Sequence, residues 1–394
     1  DVIVPVMDTN GLLEPGETTS MKLELYDNEL AEGTAKAVYV NNEWARTRHW
    51  EFYLSQAMHT DLGYTNYQEN LRKAYAGYLD TVKQYLTNSD ERETDLEKFR
   101  YAMGDAAFVM GESYMKYRTV DQIEEMIELL KEGRLNLGAA EFNYTPENFS
   151  TEGAARAAYY TNRRMVDMLG VSPNSVEYFF DNPSVSKGYV DAAVKAGIKY
   201  GMHAMNTARS PYYKVRQFDI YYMLGADPNN KMLIFNGAKY SNDYGLGTDV
   251  NKAYTTLMNL INDLENRRGR GANPEFPYDK FAMSIVPFGD NQGPYEKHII
   301  VANELNAKWH EDGKYIYPRI KTAFPQEFFE AVESEYGDLI PTEIGTEENW
   351  WNDGIGTTAY ESGIAKESEK LIPVAETTAS LASALQGTAY PYED

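Results

Sequence analysis

Glu51-Phe-Tyr-Leu-Ser-Gln-Ala-Met-His-Thr-Asp-Leu-Gly-Tyr64 is the stretch on which the reading of this chain turns. Glu51 to Met58 reads as a strand, and it runs directly into His59, Asp61 and Gly63. Asn66 to Leu86 follows as a long helix, with Leu71, Tyr75, Tyr78, Leu79 and Val82 at helical spacing. The same order then repeats. Phe99–Met103 is a strand, and Thr119–Glu132 a helix closed by Gly133. Leu135–Phe142 is a strand, and Thr151–Gly170 a helix opened by Ser150/Thr151. Ser175–Phe180 precedes the helix Lys187–Ala196, which Gly197 ends, and Ile198–Met202 is the next strand. Lys231–Asn236, Thr248–Asn266, Phe281–Phe288, Tyr295–His310 and Tyr317–Thr322 continue the alternation. Repeated βα units predict an α/β fold with parallel strands and crossover helices, closed as a barrel or open.

Outward from this body, residues 1–47 read as a β-rich segment. Gly11 to Gly16 is turn-rich, Met21–Tyr26 alternates with period two, and Ala37–Val40 is a second strand ending at a turn over Asn41-Asn42. Residues 48–340 form the α/β unit. Residues 341–394, with the Ala/Ser/Glu-rich run Thr358–Leu385, read as the start of a helical bundle.

Composition narrows the function. The 394 residues carry 37 Lys+Arg against 60 Asp+Glu, a formal charge of −23, which opposes a phosphate-backbone partner. No apolar run of about 18 residues encodes a membrane-spanning helix. With no cysteine there is no disulfide, thiolate metal site or cysteine nucleophile. Any metal must therefore sit on oxygen ligands or on His49, His59, His203, His298 or His310. The 32 tyrosines suit sugar-binding clefts and half-buried surface equally. The chain begins at Asp1 without an apolar leader, which reads as processed or excised. An acidic, cysteine-free chain suits a secreted or periplasmic enzyme. Oligomeric state is left open.

Polar residues at the carboxyl ends of parallel strands are the first place to look for chemistry. Four such ends stand out. His59 and Asp61, two apart on extended chain, point to one side and can share a metal ion, or serve as a packed histidine beside a capping aspartate. Asp181 in Phe179-Phe-Asp-Asn-Pro-Ser184 is either a turn residue or a catalytic carboxylate. Asp290 in Val286-Pro-Phe-Gly-Asp-Asn-Gln-Gly293 fits a general acid and a helix-starting loop alike. Trp350 and Trp351, beside Asn352 and Asp353, fit a sugar platform or a subdomain junction.

Taken together, these segments resemble glycoside hydrolase family 38, the α-mannosidase family. His59-Thr-Asp-Leu-Gly-Tyr-Thr65 resembles its opening His-x-Asp-x-Gly-Trp/Tyr motif. Asp181-Asn-Pro-Ser184 with Ala196-Gly-Ile-Lys-Tyr200 resembles its nucleophile segment. Pro287-Phe-Gly-Asp-Asn291 resembles its acid/base segment, and Trp351-Asn-Asp-Gly-Ile-Gly-Thr357 its late His-His-Asp segment. The matches are in the family's order and look closest to a divergent bacterial branch. The resemblance implies a seven-stranded (β/α) barrel followed by a helical bundle, and a retaining glycosidase, most simply an α-mannosidase, acting on a glycan.

Residue by residue, the resemblance makes His59, Asp61 and Asp181 ligands of one Zn²⁺, with Asp181 also the nucleophile. The position of the fourth ligand, a histidine in the family, is Asn352 here. The acid/base position is Asn291, so the role passes to adjacent Asp290, with Asp243 in reserve. Tyr64, Asp243, Asn291, Trp351 and Asp353 are the implied substrate-binding residues. The two amides also motivate an alternative: a carbohydrate-binding or degenerate barrel that does not hydrolyse. A deacetylase-like hydrolase is disfavoured because no His-x-x-x-His pair is present.

Overall fold

The computed structural model describes residues 18–26, 33–45, 48–92, 94, 96–140, 143, 145–171, 174–182, 185–204, 206, 216–265, 276–309, 318–345 and 350–390. The first two strands, β1 (Thr18–Leu25) and β2 (Ala37–Ala45), pair antiparallel. β2 continues through Asn41 and Asn42, where the sequence predicts a turn, because β1 supplies partners as far as Thr18 across a shift of register between Thr19 and Met21. Leu25, Val38, Tyr39 and Val40 stay exposed on this hairpin. The Gly11–Gly16 turn and His310 lie outside the described residues.

The central unit begins with β3 (Glu51–Gln56), α1 (Gln68–Asn88), β4 (Tyr101–Ala102), α2 (Ala107–Tyr117), α3 (Val120–Lys131) and β5 (Leu135–Asn136). It continues through α4 (Thr151–Arg164), β6 (Val176–Phe180), α5 (Lys187–Lys195), β7 (Tyr200–Ala204), β8 (Ile220–Leu224) and β9 (Lys231–Asn236). Next come α6 (Val250–Glu265), β10 (Lys280–Ile285), α7 (Lys297–Trp309), β11 (Arg319–Thr322), α8 (Pro325–Tyr336) and β12 (Thr342–Glu343). A 28-residue helix, α9 (Ala359–Gln386), closes the described chain. The helix boundaries follow their local chemistry. Thr119 and Gln122 form a reciprocal cap at the start of α3. Gly133 and Gly197, at φ +69° and +94°, turn the chain after α3 and α5.

A closed ring of seven strands is not what forms among the described residues. The strands make two five-stranded sheets, one ordered β10-β3-β4-β5 with β11 also on β3, the other β12-β8-β9-β7-β6. The physical reason is β8. It runs antiparallel along β9 from Ile220 to Leu224, occupying the edge that β10 would need. Among the described residues, the backbone after β10 bonds the second sheet only past the end of β9, where the Val286 amide donates to the Tyr240 carbonyl at 2.8 Å. At the opposite seam β5 is two residues long, and the Ala139 amide bonds the Val176 carbonyl at 3.0 Å. Sequence patterning passes over β8 because it is buried on both faces. Ile220 and Tyr222 join the large core between the sheets, while Tyr221 and Met223 pack in a second core with α5, so no period of two survives.

Packing between the sheets is aromatic. The Phe281 ring lies 5.8 Å from Phe52, 5.1 Å from Phe218 and 5.5 Å from Phe235, which joins residues of both sheets. In the second core the fully buried Glu177 on β6 accepts from the Tyr189 hydroxyl on α5 at 2.5 Å. Burial pushes its carboxyl up to about 8, against the Tyr189 bond, which favours the charged form. Glu177 is thus protonated in the fold at neutral pH, whereas an unfolded chain ionises it above its ordinary value of 4.5. Its contribution to stability is present at acid pH and declines as pH rises from about 4.5 to about 8. Glu177→Gln should remove that slope. Thermal melts from pH 5 to 8 should show the native chain losing a few degrees relative to the variant; parallel pH profiles would contradict the assignment.

Candidate active site

The candidate site forms where β3 ends. Ala57 still bonds the Ile285 carbonyl of β10, and then the chain leaves the sheet and turns His59 into the interior. Beneath it lies Asp105, just past the short β4 and itself buried. Asp105 Oδ2 sits 2.5 Å from His59 Nδ1, its Oδ1 accepts the Thr60 amide at 3.0 Å, and Asn143 Nδ2 donates to Oδ2 at 3.1 Å. Gly104 makes this approach possible. Its φ is +74°, and a Cβ there would lie 1.9 Å from the Met58 carbonyl oxygen.

Asp181, at the end of β6, holds a left-handed backbone at φ +58°, a conformation uncommon outside glycine. Its amide bonds Ala204 at 3.1 Å, and Trp351 Nε1 donates to its carbonyl at 3.2 Å. His59 Nε2 faces Asp61 Oδ1 at 3.6 Å and Asp181 Oδ2 at 4.0 Å. Asp290, on the loop after β10, lines the same cavity, with the Tyr240 hydroxyl beside it. The Tyr240 ring packs 4.9 Å from that of His59. Around a cavity of about 380 Å³ stand His59, Thr60, Asp61, Tyr64, Asn143, Asp181, Asn182, Asn206, Tyr240, Asp290 and Trp351.

Three carboxylates crowd this cavity. Burial pushes the Asp61 and Asp181 carboxyls upward, and His59 opposes it in both. For His59, burial disfavours the cation, but Asp105, then Asp61 and Asp181, outweigh it and hold the imidazole at about 9. His59 Nε2 and Asp181 Oδ1 are buried without a hydrogen-bond partner. Ligand atoms of His59, Asp61 and Asp290 all lie within 4.8 Å of one another. Ligand bonds near 2 Å bring tetrahedral ligand atoms to about 3.3 Å apart, so a small inward movement of these side chains suits a divalent ion. A nitrogen and an oxygen left without hydrogen-bond partners in an anionic cavity fit such a group. The Asp105 contact fits the same picture, since a ligating histidine ordinarily gives its other N–H to a carboxylate.

Other sequence candidates fall elsewhere. Asn291 points away from the cavity and is almost fully buried. Its Oδ1 accepts from the Asp61 amide at 2.9 Å and the Tyr75 hydroxyl at 2.7 Å, and its Nδ2 donates to the Asp61 carbonyl at 2.8 Å and Thr65 Oγ1 at 2.7 Å. It is a clamp between two loops, with no face on the cavity. Asn352 accepts from Asn148 Nδ2 at 3.0 Å and does not line the cavity. Asp243 closes a turn onto the Gly245 amide at 2.9 Å and likewise stays outside the lining. The Asp353 side chain is outside the described residues. Tyr64 and Trp351 do line the cavity.

Sequence reasoning missed Asp105, Asn143, Asn206 and Tyr240. Each follows a strand, so the criterion that selected His59 and Asp181 would also have found Asp105 after Met103-Gly104. With His59 protonated at neutral pH, an ion bound through Nε2 must displace a proton. Zn²⁺ titration at pH 7, by calorimetry in two buffers of different ionisation enthalpy, should show close to one proton released per ion. Apparent affinity should climb with pH until about 9; binding without proton release would exclude His59 as a ligand.

The profile of the glycosyl hydrolases family 38 N-terminal domain matches residues 49–351, from the start of β3 to Trp351. No curated protein matches the chain significantly by sequence. Among solved structures, an alpha-mannosidase from Enterococcus faecalis V583 superposes with a TM-score of 0.57 at 16% identity, over 75% of this chain and 31% of that one. A protein in the glycosyl hydrolase family 38 from Enterococcus faecalis superposes with a TM-score of 0.50 at 15% identity, over 77% and 29%. The chain therefore spans less than a third of the length of these two structures, and the likeness to them is one of fold. Because the family profile runs through every strand end that lines the cavity and covers most of the sequence, the chain belongs to the glycosyl hydrolases of family 38.

Proposed function

We propose that this chain carries the active site of a metal-dependent retaining glycosidase acting on α-mannosides. The observation that supports this most directly is the meeting of His59, Asp61, Asp181 and Asp290 at one cavity, although more than 200 residues separate the first from the last. His59, Asp61 and Asp181 are the residues that would hold the ion, zinc in the simplest case. When bound, a divalent cation would supply positive charge that engages sugar hydroxyls and keeps the Asp181 carboxylate ionised.

Every other step belongs to the protein's own groups. Asp181, held in its unusual backbone geometry and bonded to neighbouring side chains, is the nucleophile that attacks the anomeric carbon. Asp290, beside the Tyr240 hydroxyl, is the acid/base group: it gives a proton to the departing glycosidic oxygen, then takes one from the incoming water. Tyr64 and Trp351 offer aromatic surface at the rim of the cavity.

Two variants and one depletion test this reading on α-mannosyl substrates. Asp181→Asn should lower kcat on the order of 10⁴-fold while sugar binding survives. Asp290→Ala should lose on the order of 10²- to 10⁴-fold on poor leaving groups and much less on good ones, with partial recovery in azide. Chelation should abolish turnover, and added Zn²⁺ restore it. Full activity in metal-free protein would remove the proposal. Binding of mannosides with no turnover of an activated aryl glycoside would favour a sugar-binding barrel without hydrolysis.

A further inference from the structure

Two residues before Asp290 the chain holds an aromatic ring where packing does not require one. Phe288 has a left-handed backbone, φ +62°, and its side chain is 70% exposed. For a bulky residue this backbone region is a genuine outlier, and such outliers cluster where a ligand is held. The ring is nevertheless braced. It packs against Tyr295 at 4.8 Å, and Tyr295 lies edge-on to the buried His298 at 5.3 Å. The Tyr295 backbone is tied in turn to the end of β3, its amide donating to Gln56 Oε1 at 3.0 Å and its carbonyl accepting from Gln56 Nε2 at 2.6 Å. On the far side of Asp290, Asn291 clamps the loop to Asp61 and Thr65, and its amide bonds the His59 carbonyl at 3.0 Å. Phe288 is therefore presented to solvent from a loop fixed at both ends. Tyr64, 81% exposed, stands on the loop to which that clamp attaches.

We propose that Phe288 is a binding face for the sugar unit on the leaving-group side of the cleaved bond, so that the preferred substrates are oligosaccharides, not mannosides of small alcohols. The inference rests on the glycosidase reading above. Asp290 delivers its proton to the oxygen of the departing group, so the ring attached to that oxygen lies beside the loop carrying Asp290. The C–H face of a pyranose is apolar, and an exposed, pre-positioned aromatic ring covers it without further ordering of the protein. Phe288 does not touch the reacting atoms. Its effect falls on which leaving groups are accepted.

The test compares an α-linked mannotriose with α-mannosyl fluoride, whose leaving group has no ring, in the native protein, Phe288→Ala, Phe288→Trp and Phe288→Gly. The readout is the ratio of kcat/KM for trisaccharide over fluoride. Phe288→Ala should lower this ratio about tenfold, equivalent to about 1.4 kcal/mol, and Phe288→Trp should keep it near native. Phe288→Gly, relieved of the backbone constraint, should lower the ratio while keeping or raising the melting temperature. An unchanged ratio in Phe288→Ala overturns the proposal. So does a marked loss of stability in Phe288→Gly, which would make the ring a packing element. Turnover of the fluoride by the native protein upholds the glycosidase reading whatever the ratio does. If neither compound is cleaved, that reading fails by itself. The affinity ratio of mannotriose over methyl α-mannoside, native against Phe288→Ala, then decides between a ring-binding face and none.

Discussion

The contact between Asp105 and His59 is the constraint from which the rest of the cavity follows. A buried carboxylate against Nδ1 fixes which imidazole nitrogen is free, and it aims Nε2 at Asp61 and Asp181. The contact exists because backbone replaces side chain beneath it: Gly104 lets the end of β4 press on Met58, and a Cβ on Gly138 would come within 2.3 Å of the Gly104 carbonyl. Two glycines far apart in sequence thus position one histidine. Remove either, and the strand ends must separate before Asp105 can reach its partner.

Much of this was legible from residue order. Strand-length apolar runs ending in His59-Thr-Asp61 and in Asp181 mark the two halves of the cavity, since a parallel strand delivers whatever follows it to one end of the sheet. Helix boundaries at Thr119, Gly133 and Gly197 were equally readable, because capping depends on neighbours within one turn. What could not be read was the direction of side chains on loops. Asp290 and Asn291 are adjacent, and only the left-handed backbone at Asn291, φ +57°, sends the amide inward to clamp Asp61 while Asp290 faces the cavity. An amide that binds sugar and an amide that binds backbone are chemically the same in a sequence. Asn352 illustrates this too, its oxygen being taken by Asn148. Closure of the barrel was illegible for a different reason: the antiparallel course of β8 depends on pairing between segments, which no local pattern records.

The cavity also carries its own electrostatic conflict. Beyond the effect of burial, Asp290 raises the proton affinity of both Asp61 and Asp181, and the imidazole above Asp105 is the cationic group that offsets this among the described lining residues. A divalent ion would replace the imidazolium proton as the source of positive charge. The same side chains serve both states, so occupancy of the cavity and protonation of His59 are two settings of one charge balance.

The division into two sheets has a mechanical consequence. His59, Asp61, Asp105 and Asp290 follow strands of the first sheet, whereas Asp181, Asn206 and Tyr240 follow strands of the second. Among the described residues, a single amide–carbonyl bond at each of the two seams stands in for a full ladder. A group held between His59 and Asp181 would span a line of weak backbone cohesion and act as a rivet across it. Amide hydrogen exchange at Ala139 and Val286 is then a gauge of how firmly the two halves are fastened.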